Sequence, residues 1–217
     1  MIPGLVALFV VDHYTGESAP VLFAFACTLA IRSAWELSQI VAVRNIRARF
    51  VESTGGCLLL LCATWWPHLP GVEPKLKSLE LSALAVAIAF LVLLGMSAAR
   101  YREPGQTLES LGASLLILVY TGLLLAVTIQ LRWVAGAEAG YLALGSLLVT
   151  AKGGDIGAYT IGRLFGRWKM APKLSPGKTW EGFVGALLGA MLGAYLWLRF
   201  ATPLFGRGWV PPPLWAM

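Results

Sequence analysis

The chain has 217 residues, of which 58% are hydrophobic and only 13% charged, with a mean hydropathy of +0.72. A soluble domain of this size carries about 25% charged residues, so this chain lacks the charge to clothe a water-facing surface, and lipid is the expected solvent. The net charge of +6 does not point to nucleic acid, because no basic stripe with interleaved aromatics accompanies it. Basic residues fall instead between apolar runs, as they do in cytoplasmic loops of membrane proteins.

In chain order, a short apolar run, Ile2–Val11, stops at Asp12-His13. It has no basic leader and no small-residue cleavage site, so it reads as part of a helix and not as a signal peptide. Apolar segments near 19–43, 54–70, 79–99, 108–131, 139–162 and 181–202 then approach the roughly 20 helical residues needed to cross about 30 Å of hydrocarbon. The expected fold class is all-α: a polytopic transmembrane helical bundle of six to seven spans, forming a single membrane-embedded domain over 1–217.

Within these runs Arg32 and Glu36 stand at i, i+4 and are expected to pair structurally. Cys27, Cys57 and Cys62 lack ligand spacing and read as small buried hydrophobes. His13 and His68 stand alone, which argues against a histidine metal cluster. Trp65, Trp66 and Trp209 suit an interfacial aromatic belt. Arg44, Arg47, Arg49, Arg100, Arg102, Arg163, Arg167, Lys169, Lys173 and Lys178 fall on one side of the alternating spans. Lys75, Lys77, Arg132, Arg199 and Arg207 fall on the other. The richer side is expected to face the cytoplasm of the inner membrane, and it includes the loop 163–180. Pro211-Pro212-Pro213 follows the last span and looks like a loop entering another segment.

The stretch 152–182 carries the chemistry. Lys152, Asp155, Tyr159 and Gly162 fall on one helical face. An ionisable residue within a span is costly and marks a functional candidate. Asp155 is able to ligate Mg²⁺, which favours carboxylates with substrate phosphates; equally, a Lys152–Asp155 pair could serve packing alone, and residue types leave both open. Ser175-Pro176 looks like a helix N-cap followed by proline at the first helical position. That start would place Lys178 and Thr179 in the first turn, beside free amides and the positive end of the dipole, a natural phosphate site. The alternative is an ordinary basic loop. Gly177-Lys178-Thr179 is not a P-loop, because Pro172 stands where the pattern needs glycine and no strand is expected to precede it. Glu181 is either a ligand or a charge placed well near a helix start. Gly182, Gly185, Gly189 and Gly193 recur at small-xxx-small spacing, a packing face.

Asp155, Ala158-Tyr159, Gly162-Arg163, Phe165-Gly166, Lys173-Leu174-Ser175-Pro176 and Lys178-Thr179-Trp180-Glu181-Gly182 together resemble the phosphatidate cytidylyltransferase (CDP-diglyceride synthetase) family. The resemblance covers about thirty residues. It implies a bundle of eight or nine helices, usually a homodimer, that joins CTP and phosphatidate with Mg²⁺ to give CDP-diacylglycerol and pyrophosphate. By the same resemblance Asp155 would hold metal or nucleotide, and Ser175, Lys178 and Thr179 would face the CTP phosphates. Glu181 would support that pocket, with Tyr159, Gly162, Arg163, Lys173, Pro176 and Gly182 shaping or lining it. Two departures stand out. The family's C-terminal run of Ser-x-x-Lys-Arg, Lys-Asp, His-Gly-Gly and paired aspartates is not found, so the chain is expected to be incomplete and inactive alone. Lys152-Gly153-Gly154 also replaces a more apolar approach to the aspartate. Competing expectations are a CTP-using enzyme acting on a polyprenol or ether lipid, and a non-catalytic relative or transporter.

Overall fold

The computed structural model describes residues 2–16, 18–72, 76–101, 106–133, 137–173 and 175–205. The expectations for Lys75, Arg102, Arg207, Trp209 and Pro211–Pro213 lie outside these. The described chain is almost wholly helical: α1 (Ile2–Thr15), α2 (Pro20–Ala42), α3 (Phe50–Trp65), α4 (Ser78–Ala99), α5 (Gln106–Ile117), α6 (Leu124–Gln130), α7 (Ala137–Phe165) and α8 (Trp180–Ala201). A π-helical stretch, Leu118–Leu123, joins α5 to α6 without a break. Two short antiparallel strands, β1 (Lys169–Ala171) and β2 (Ser175–Thr179), separate α7 from α8.

Each expected apolar run is a helix, displaced at its ends by a few residues. Among the described residues, four stretches are long and apolar enough to cross a membrane: Pro20–Ala42, Ser78–Ala99, Thr107–Trp133 and Trp180–Ala201. This is the pattern of a multi-pass membrane protein, though the expected count of six to seven spans is not reached. The α3 helix has only 16 residues, because Pro67 cannot continue the i→i−4 ladder and converts the end to a 3-10 turn at Trp66–His68. The α7 helix has ample length at 29 residues but not the apolarity, since glycines and charged residues interrupt it.

The chain divides into two compact units, Ala7–Gln130 and Met1–Val6 with Leu131–Met217. In the first, the Asp12 carboxylate is fully buried and accepts the amides of Val21 at 2.8 Å and Leu22 at 3.0 Å. The residue that ends the first apolar run therefore satisfies two orphan donors at the start of α2. The core of this unit includes Leu22, Ala26 and Ala30 of α2, Leu60 and Leu61 of α3, and Ile117 and Leu118. Gly56 and Gly122 let α3 approach the π-helical stretch. A methyl group on Gly122 would lie 2.9 Å from Cys57 Sγ and 3.0 Å from its Cα.

Side-chain placement corrects two expectations. Trp65 is no belt residue: its ring is buried, and its indole N–H donates to the Ser18 carbonyl at 2.6 Å. Of the cysteines, Cys57 is buried, Cys27 half-buried and Cys62 exposed, all as free thiols. Arg32 and Glu36 pair at 2.9 Å, as expected.

In the second unit, α7 and α8 form the most extensive helix pair among the described residues. Small residues at matched heights bring their backbones together. A methyl group on Gly153 would lie 2.5 Å from the Gly189 carbonyl oxygen, and one on Gly185 the same distance from that of Gly157. Gly157 and Gly189 are equally closed, each facing the partner helix's carbonyl. The small-xxx-small face therefore packs as expected. It also accounts for glycine at position 153. Gly157→Ala is expected to lower stability by about 1–3 kcal/mol through forced separation of the helices. Gly112→Ala in α5, where an added methyl meets nothing within 4 Å, should be neutral or stabilising by up to about 1 kcal/mol. Thermal unfolding in detergent measures both.

Candidate active site

The helix contact fixes where α7 ends and α8 begins, and a cleft of about 530 Å³ opens there. One wall comes from α7, whose successive turns present Asp155, Ala158, Tyr159, Gly162 and Arg163. The opposite wall comes from the start of α8, through Gly182, Phe183 and Ala186. Met170 of β1 and Gly177, Lys178 and Thr179 of β2 close the open end.

The hairpin changes the expected start of the last helix. Ser175 and Pro176 are strand residues, and the N-cap is Thr179, in extended conformation at φ −126° and ψ 156°. Its hydroxyl accepts the Gly182 amide at 3.1 Å, the usual bond from N-cap to N3. Tertiary packing selects Thr179 over Ser175. A methyl on Gly162 would sit 3.3 Å from Thr179 Oγ1, and one on Gly166 would sit 2.8 Å from it. Both glycines thus leave room for the capping side chain. Trp180 N donates to the Trp168 carbonyl at 3.0 Å, which closes the hairpin onto the helix. Two amides at the start of α8 are therefore engaged, and Lys178 precedes the helix instead of lying in its first turn. The positive end of the helix dipole remains beside the cleft, with Lys178 adding a mobile ammonium.

Charge in the cleft is mixed. Lys152, three residues before Asp155, is not part of the lining, but its Nζ lies 3.2 Å from Asp155 Oδ2. Both side chains are largely exposed, at 46% and 72%, so the pair is weak and exchangeable. Asp155 can therefore release Lys152 for another cation. Arg163 donates to the Tyr159 hydroxyl at 2.6 Å, its guanidinium 5.7 Å from the ring centre, and this bond steadies one turn of the α7 wall. A ligand in the cleft would meet two cationic side chains, Arg163 and Lys178, and one carboxylate, Asp155.

Of the residues singled out from sequence, Asp155, Tyr159, Gly162, Arg163, Lys178, Thr179 and Gly182 come together in the lining. Four do not. Lys173 is exposed in the turn between β1 and β2, with Ser175 and Pro176 opening β2. Glu181 points to the loop, where both its carboxylate oxygens accept the Trp168 amide at 3.3 Å. Sequence reasoning missed Met170, Gly177, Phe183 and Ala186. Phe183 and Ala186 had a legible signal, since 179, 182, 183 and 186 share one helical face; Met170 reaches the cleft only through the hairpin. No group of three or more potential metal ligands occurs among the described residues.

The sequence of the chain is similar to that of known proteins. Residues 1–215 match the family described as the cytidylyltransferase family. The chain is 28% identical over 191 residues to the phosphatidate cytidylyltransferase of Haemophilus influenzae, covering 84% of this chain and 66% of that protein. It is 30% identical over 147 residues to the phosphatidate cytidylyltransferase of Pseudomonas aeruginosa, covering 68% of this chain and 44% of that one. A shorter match of 61 residues to the phosphatidate cytidylyltransferase of Mycobacterium leprae reaches 45% identity, over 28% of this chain and 19% of the relative. The chain thus spans under two thirds of the length of these relatives.

Thr179→Ala should cost about 0.5–2 kcal/mol through loss of the cap, and Thr179→Ser should retain most of it. Hydrogen exchange at Gly182 and its neighbours, read beside the thermal midpoint, should show faster opening of the first turn of α8 in the alanine variant only.

Proposed function

The chain belongs to the cytidylyltransferase family, and from that premise we propose that it takes part in the transfer of the cytidylyl group from CTP to phosphatidate, giving CDP-diacylglycerol and pyrophosphate. The observation that carries this reading is the cleft beside the start of α8, which gathers Lys178, Arg163 and Asp155 against a floor of glycine backbone. A triphosphate needs cations and a positive dipole end, and this cleft offers both.

In the proposed reaction a phosphate oxygen of phosphatidate attacks the α-phosphorus of CTP. A new P–O bond forms, the bond from that phosphorus to the bridging oxygen of the β-phosphate breaks, and pyrophosphate leaves with the electron pair. Such a transfer asks the protein for positioning and charge neutralisation more than for covalent help. Lys178 neutralises phosphate charge at the mouth, and Arg163, steadied by Tyr159, does so along the α7 wall. Gly162 and Gly182 keep the two walls of the cleft in backbone contact at its floor. Thr179 holds the start of α8 in place, and Glu181 holds Trp168 and hence the hairpin.

The lining also fits Mg²⁺, which binds through one or two carboxylates completed by substrate phosphates. Asp155, exposed and paired among the described residues with an exchangeable lysine, is the residue that would hold it. When bound, the ion would neutralise phosphate charge and orient the triphosphate. The loop 163–180 is assigned to the cytoplasmic face of the inner membrane, where a soluble nucleotide meets a lipid head group; its basic residues support that orientation. A homodimer would cover the exposed Arg32–Glu36 pair, which lies within a membrane-length helix.

Two readouts test this reading: CTP-dependent thermal stabilisation of the purified chain, and label transfer from CTP to lipid in membranes containing phosphatidate. Lys178→Gln is expected to weaken CTP binding and, where turnover is present, to reduce it by about 10²–10³. Asp155→Asn should abolish the dependence on Mg²⁺, whereas Lys152→Gln should leave binding within about fivefold of the parent. CTP binding that is indifferent to Lys178→Gln and Asp155→Asn would overturn the assignment.

A further inference from the structure

A second polar cleft, of about 720 Å³, lies in the Ala7–Gln130 unit between the turn after α2 and the beginning of α5. Asn45, Arg47, Arg49, Thr107, Glu109 and Ser110 supply its polar lining. The proposed cytidylyl transfer uses none of them.

The turn that carries the arginines is strapped in place. Asn45 adopts a left-handed conformation at φ 59°, which asparagine tolerates well. The Ser110 hydroxyl donates to the Arg47 carbonyl at 2.6 Å, and the Arg49 amide donates to the Ser114 hydroxyl at 2.9 Å. Ser110 and Ser114 are one turn apart on α5, so two rungs fix the backbone that bears both guanidinium groups. One of those groups is unsatisfied: among the described residues Arg49 Nη1 is buried without a hydrogen-bond partner. A buried donor of a charged group left unpaired costs more than an ordinary lost hydrogen bond, and native structures seldom leave one without reason. A guanidinium fork matches the oxygen spacing of a phosphate.

Depth adds a second constraint. The cleft touches Ala42, the last residue of one membrane-length helix, and Thr107, the first residue of another. With both helices crossing a bilayer, that level would be where hydrocarbon gives way to head groups and water. Two arginines against Glu109 leave its lining with a net positive charge.

We propose that this cleft binds a phosphate group, held by Arg49 and Arg47, separately from the α7–α8 cleft. The same chemistry would take the phosphodiester of an anionic phospholipid or a free phosphate from solution.

The test uses the full chain in neutral detergent, with phosphatidylglycerol, phosphatidylcholine and inorganic phosphate as probes. Binding is read by native mass spectrometry for the lipids and by thermal shift for phosphate. Retained phosphatidylglycerol, little phosphatidylcholine, and a loss of roughly tenfold or more in affinity on Arg49→Gln are expected if a lipid supplies the phosphate. An Arg49-dependent shift with inorganic phosphate, and no preference between the lipids, would assign the soluble source. Glu109→Gln should strengthen binding by roughly twofold, a gain that misfolding could not produce. Equal binding of all three probes by the parent, Arg47→Gln, Arg49→Gln and Glu109→Gln chains would overturn the proposal.

Discussion

The approach of α7 to α8 at backbone distance is the constraint on which the rest of the second unit depends. Within a membrane, helices gain little from burying apolar surface against one another, since lipid tails are equally apolar; close van der Waals packing does the work. Gly153, Gly157, Gly185 and Gly189 allow that packing by presenting no side chain to the partner's carbonyls. Further along, Gly162 and Gly182 continue the contact to the β1–β2 hairpin, and there the helices part around the Thr179 cap. The cleft exists because the seam ends at that cap. Its floor is main chain, while its charge comes from residues on the rim.

That division explains what could be read from sequence. Helix positions follow from apolar runs of membrane length, so α2, α4 and α8 fall within a few residues of expectation. The seam was legible in the recurrence from Gly182 to Gly193, and the charged face of α7 in the spacing of Asp155, Tyr159 and Gly162. The start of α8 was not legible in the same way. Ser175-Pro176 and Thr179 are both sound capping signals locally, and the choice belongs to Gly162 of α7 and Gly166 just past its end, which make room for the threonine. Trp65 is a similar case. Its neighbour Trp66 is exposed while Trp65 turns inward to the Ser18 carbonyl, and one-residue differences of facing are invisible in a pair of identical residues.

Charge placement separates residues that hold the structure from those free to meet a ligand. Asp12 accepts two amides at the start of α2, and Glu181 accepts the Trp168 amide. Among the described residues Asp155 pairs with an exposed lysine, and Arg49 keeps a buried nitrogen with no hydrogen-bond partner. Residue type alone would have ranked these carboxylates together; their partners sort them. Glu181 in particular bonds to loop backbone and is not part of the cleft lining.

The β1–β2 hairpin has a consequence for how the protein is made. It is a compact connector, with Trp180 N bonded back to Trp168 O, so α7 and α8 are neighbours both in sequence and in space. Their contacts close only a short loop, the kind that forms early and quickly. As the chain leaves the ribosome, the two helices can therefore enter the bilayer as one hairpin. The weakly apolar α7 would be shielded by its glycine seam with α8 and need not persist in lipid by itself. Assembly of the ligand cleft would then be coupled to membrane insertion.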